Sequence, residues 1–143
     1  MLNVNFEPPE SGWMTVQLDE FSFNVSDVPC DSLRGLISVI SRILSGSMKE
    51  EVVQWSLEPD YATWIFQRID DNSISLSITT DSKTKPIHLL TDSTSIIVDP
   101  ILSALNNLGE HEIWANDSDL RIWSWDFPYK QLQRLKNHPK RVV

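Results

Sequence analysis

The chain has 143 residues, 41% hydrophobic and 22% charged, with a formal net charge of −8. That length suits one domain able to bury its own core, and the acidic balance disfavours nucleic acid and anionic membranes as partners. The single cysteine, Cys30, excludes an intrachain disulfide framework, and no apolar run reaches the ~18 residues that a membrane span needs.

Residues 1–12, with Pro8, Pro9 and Gly12, read as an extended, weakly ordered lead-in that lacks the basic and apolar regions of a signal peptide. The expected compartment is the cytoplasm. From 13 to 25, Met14, Val16 and Leu18 alternate, then Phe21, Phe23 and Val25, around a break at Asp19 and Glu20. Two alternating sets about a two-residue break predict a β-hairpin. Asp27 or Asp31 then offers a helix cap, and Pro29 suits a first turn. Leu33, Leu36, Ile37, Ile40, Ile43 and Leu44 recur at helical spacing, which predicts a helix over 31–45 closed by Gly46. Gly35 inside it suggests close approach to a strand.

Residues 51–80 hold three alternating runs divided at 58–60 and 70–72, the pattern of a three-strand antiparallel meander. Ile74, Leu76 and Ile78 face one way in the third run, with small hydroxyls opposite, as in a sheet with one solvated face. The middle run is loaded on both faces by Tyr61, Trp64, Ile65 and Phe66. A polar connection follows, in which Ile87, Leu89 and Leu90 could make a further short strand. Ile97, Ile101, Leu102, Leu105 and Leu108 predict a second helix. It starts either at Asp99 with Pro100 as its first residue, or near Ser93 with a kink. Pro128, Leu132 and Leu135 mark a third short helix that stops before Pro139. The expected architecture is one α+β domain over 1–143, with residues 1–12 and 139–143 flexible. Its antiparallel sheet has about five strands, hairpin plus meander, and two to three helices packed mainly on one face.

Chemistry-bearing patterns are sparse. His88, His111 and His138 are far apart in the chain, and no metal spacing joins them. Cys30 lies near a helix start but between Asp27 and Asp31, which oppose a thiolate. Four glycines leave no phosphate-cradling loop. No catalytic residue, metal or cofactor is expected. What stands out is 110–127, where Trp114, Trp123 and Trp125 lie among Glu112, Asp117 and Asp119. Tryptophans ringed by acids suit a protein-binding surface for a basic partner, and these six residues are the candidate site. The alternative places the same tryptophans in the core beneath a loop. Residues 129–143 hold five bases and no acid, so the remainder is more acidic than the total charge suggests.

Three fragments occur in order. Leu33, Leu36, Ile37, Ile40, Ile43, Leu44 and Gly46 form the first; Glu58, Pro59, Tyr61, Trp64 and Phe66 the second; Phe127, Pro128, Leu132 and Leu135 the third. Together they resemble small bacterial proteins without a demonstrated activity. In size, acidity and α+β layout the chain also resembles immunity proteins that neutralise bacterial toxins. That likeness is architectural, rests on no motif and assigns no functional residue. It implies a non-catalytic toxin antagonist that binds another protein, with neither nucleic acid nor membrane as partner. The alternatives are a small enzyme or ligand-binding protein with a pocket between sheet and helices, and a homodimer joined through the meander.

Overall fold

The computed structural model describes residues 2–80, 85–115 and 122–138. The period-two runs become strands β1 (Val4–Phe6), β2 (Trp13–Leu18), β3 (Phe21–Ser26), β4 (Glu51–Ser56), β5 (Tyr61–Asp70), β6 (Ser73–Thr79) and β7 (Ile87–Ser93). All pair antiparallel, and their order in the sheet is their order in the chain. Three helices complete the α+β fold: α1 (Ser32–Leu44), α2 (Thr94–Gly109) and α3 (Tyr129–Lys136). No helix among the described residues is long and apolar enough to cross a membrane.

The sheet has seven strands, not the five that alternation suggests. The extra edge β1 lies in the stretch read as a lead-in. Three residues are too short to show a period, yet Phe6 is 4% exposed and Leu2 3%. Their burial supplies what a three-residue ladder alone cannot. Ser11 and Gly12, both at positive φ (52° and 81°), turn the chain so that Glu10 and Trp13 pair. The other extra edge, β7, is half-exposed and has an irregular register opposite Leu76 and Ser77.

Inward-facing Trp55, Trp64, Ile74, Leu76 and Ile78 are each 0% exposed. Phe6, Trp55 and Trp64 pack ring on ring, the two indoles 5.1 Å apart and Phe6 5.9 and 6.4 Å from them. On the outer face Val52, opposite Ile65, is 47% exposed. Helix α2 packs against β1 at one end of the sheet and against β6 and β7 at the other. Both ends therefore curl toward one helix. Its buried stripe is Ile97, Val98, Ile101, Leu102, Leu105 and Leu108. The helix starts at Thr94 and runs through Pro100. The missing Pro100 N–H would have bonded the carbonyl of Ile96, a residue 46% exposed, so water can take its place.

Helix α1 begins at Asp31, whose carboxylate accepts from the Arg34 N–H at 3.2 Å. Pro29 thus precedes the helix rather than opening it. At the other end Gly46 has φ +96°, its N–H bonds the Ile43 carbonyl, and the Ser47 N–H bonds that of Arg42. This is the paired bonding of a left-handed helix stop. The Arg68 side chain reinforces it with hydrogen bonds to the carbonyls of Ile43 and Ser47. Gly35 does not meet a strand: a Cβ there would touch nothing within 4 Å. Gly35→Ala is therefore expected to stabilise the protein by about 0.4–1 kcal/mol, read as a higher urea midpoint with unchanged slope.

Beside the helix stop, Glu51 is buried and accepts from Arg42 at 2.7 Å and Ser47 at 2.8 Å. Burial pushes its carboxyl upward. The hydrogen bonds from Arg42 and Ser47, with the charges of Arg42 and Lys49, together outweigh that and hold it below its ordinary value of 4.5. A carboxyl depressed in the folded state stabilises fully above its unfolded value and loses that contribution as pH falls through the folded one. Urea midpoints measured downward from pH 5 are expected to fall less steeply for Glu51→Gln than for the parent chain.

Candidate functional site

The β2–β3 hairpin ends in an irregular closure built on Asp27. The Asp27 N–H bonds the Gly12 carbonyl at 3.0 Å. A regular ladder would return the Gly12 N–H to the Asp27 carbonyl. Here the Gly12 N–H goes instead to the Ile122 carbonyl at 2.9 Å, and the Asp27 carbonyl accepts from Trp125 Nε1 at 2.6 Å. Residues 122–125 have taken over the last rung. The Asp27 carboxylate completes the hold by accepting from both the N–H and the hydroxyl of Ser124, at 2.8 and 2.7 Å.

Asp27 is 7% exposed, so these are charge-assisted bonds in a largely dry setting. Gly12 is required twice over. Its φ is +81°, and a Cβ would lie 3.3 Å from both carboxylate oxygens of Asp27. The result is a C-terminal segment fixed to a strand end almost a hundred residues earlier in the chain.

Around this closure three large apolar side chains remain open to water: Trp13 at 37% exposure, Val28 at 43% and Trp125 at 38%. Trp13 pairs with Ser26, next to Asp27; Val28 follows Asp27; Trp125 is bonded to it. Exposed acids adjoin two of the three, Glu10 across the turn from Trp13 and Asp126 after Trp125.

Of the residues singled out in the sequence, Trp125 lies at this surface. Trp123 is 5% exposed and belongs to the core cluster. Trp114 is half-buried; its Nε1 donates to the Leu108 carbonyl at 2.8 Å and its ring lies 5.2 Å from that of Phe127. Glu112 is exposed at the start of a 3-10 turn (Glu112–Ala115). Asp117 and Asp119 fall outside the described residues. Within 122–127 the chain thus alternates, with Trp123 and Phe127 entering the core while Ser124 and Trp125 are anchored at Asp27. Trp13, Val28 and Asp27 escaped the sequence reading. The available signal was Trp13, an aromatic in the outward phase of a strand whose inward phase is Met14, Val16 and Leu18.

A cleft of about 610 Å³ lies elsewhere, between the C-terminus of α1, the β5–β6 turn and the N-terminus of α2. Ile43, Leu44 and Val98 provide apolar lining, and Arg68, Asp71 and Asp99 bring charge. The Arg68 guanidinium is engaged with the carbonyls of Ile43, Ser47, Asp70 and Asp71. It serves as a clamp joining hairpin to helix.

No known protein family matches this chain, and neither a curated protein nor a solved structure is significantly similar to it.

Proposed function

We propose that this is a non-catalytic protein-binding domain whose contact surface is Trp13, Val28 and Trp125. The observation behind this reading is the Asp27 closure. A buried carboxylate and two exchanged ladder bonds hold an exposed tryptophan in place before any partner arrives. Preorganised aromatic side chains lose little freedom on binding and are favoured as anchors. The acidic chain favours a basic partner. In its concrete form the function is antagonism of a protein toxin, as the size, acidity and α+β layout suggest, and the proposed compartment is the cytoplasm.

The test is retention of proteins from the native host's lysate on the immobilised chain, compared with Trp13→Ala and Trp125→Ala variants of matched thermal stability. A partner held by the parent chain should be weakened roughly thirtyfold by either variant, the effect of losing one anchor of about 2 kcal/mol. Equal retention by all three proteins would reject this surface. The 610 Å³ cleft keeps a second reading in view, a small-ligand site between the helices and the β5–β6 turn.

A further inference from the structure

The exposed tryptophan at the Asp27 closure is asymmetric in what it offers. Its one hydrogen-bond donor, Nε1–H, is spent inward on the Asp27 carbonyl at 2.6 Å. Outward it presents ring carbon and π-surface. A neutral polar group gains nothing there, whereas an apolar or cationic group does.

Charge decides between those two. The exposed acids Glu10 and Asp126 adjoin Trp13 and Trp125. The nearest described base along the chain from Val28, Arg34, is bonded to Asp31 at 3.3 Å, and the nearest from Trp125, Lys130, lines a groove with Asn106 and Glu110. A second copy of the chain would bring the same acids to the same place, and each copy has net charge −8, so like charges oppose self-association here.

Resting on the reading above that this surface binds protein, we infer that it receives an arginine side chain of the partner, the guanidinium lying on indole surface and neutralised by Glu10 and Asp126. Arginine fits better than lysine. Its guanidinium is planar, stacks on aromatic faces and is more weakly hydrated than an ammonium, so it gives up less water on leaving solvent. This goes beyond a generally basic partner. It names the contact side chain, its two carboxylate acceptors and the face it covers.

The experiment uses the full chain, ¹⁵N-labelled, with the indole N–H resonances of Trp13 and Trp125 assigned from Trp→Phe variants. The probes are N-acetyl-arginine amide, N-acetyl-lysine amide and N-acetyl-citrulline amide, the last a neutral near-isostere of arginine. The arginine probe should move both resonances and bind roughly two- to fivefold more tightly than citrulline. That preference should vanish in the Glu10→Gln/Asp126→Asn double variant and shrink as salt is raised. Equal response to arginine and citrulline, an unchanged preference in the double variant, or movement confined to other indoles would each overturn the inference. Lysine equal to arginine would overturn the planar-stacking part. A lysate partner that depends on Trp125, together with no arginine preference, would leave the binding surface standing and remove only this contact chemistry. Loss of both would remove both.

Discussion

Trp64→Ala is expected to destabilise the protein by about 3–5 kcal/mol, the range for deleting a large buried aromatic. Trp64 is 0% exposed, sits centrally in the sheet and packs 5.1 Å from Trp55 and 6.4 Å from Phe6. Its ring neighbours sit on the adjoining strand β4 and on the far edge strand β1, both fixed in the ladder, so the cavity cannot close by a small local shift. A control separates ring volume from polarity. Among the described residues the Nε1 atoms of Trp55 and Trp64 are buried without a hydrogen-bond partner, and an unsatisfied buried donor costs about 1–3 kcal/mol. Trp64→Phe discards that donor while keeping most of the ring. It should cost well under half as much as the alanine substitution in urea denaturation. Equal losses would mean that the indole N–H is not a burden.

Asp27→Ala is expected to cost about 3 kcal/mol, because it removes two hydrogen bonds to a charged acceptor, those from the N–H and the hydroxyl of Ser124. The consequence reaches beyond stability. The amide of Ser124 should lose its protection against hydrogen exchange, and the Trp125 ring should become more mobile. Partner binding should then fall even though no contact residue has been changed. Asp27→Asn, which keeps the shape and one carbonyl oxygen, should fall between parent and alanine. An alanine variant within ~0.5 kcal/mol of the parent would show that the Trp125 bond and the Gly12 rung suffice alone.

Why some elements were legible and others not follows from what each one rests on. Helix α1 rests on a six-residue apolar stripe with a glycine stop, and both survive in the sequence as spacing. The β5–β6 pairing rests on alternation and a two-residue turn, equally visible. The edge β1 rests on the burial of Leu2 and Phe6 and on contact of the strand with α2, made across most of the chain, and no local pattern encodes it. The candidate surface was harder still. Tryptophan and acid content pointed to 110–127, but burial divides that stretch, sending Trp123 inside and leaving Trp125 outside. The determinant is Asp27, whose position before Pro29 reads as a helix cap. Its actual partners, Gly12 and Ser124, lie far from it in the chain on either side. Gly109 shows the same limit. It looks like a helix terminator, whereas a Cβ there would lie 2.5 Å from the Phe127 ring, so its smallness makes room for α3's entry.

The pairing of β3 with β4 amounts to a single position, Ser26 with Ser56. Both strands end at that position, so antiparallel β3 and β4 meet only at their tips in a stagger, and the rest of each has no ladder partner on that side. The Gln54 carbonyl of β4 is taken by the Ser32 hydroxyl at 2.6 Å as α1 begins. Sheets usually face their aggregation hazard at the outer edges. In this protein a vulnerable edge is internal, guarded by the first residue of α1 and by the closure at Asp27. Loosening either guard would bare the unpaired side of β4 to a foreign strand, so misassembly would start within the sheet and not at its rim.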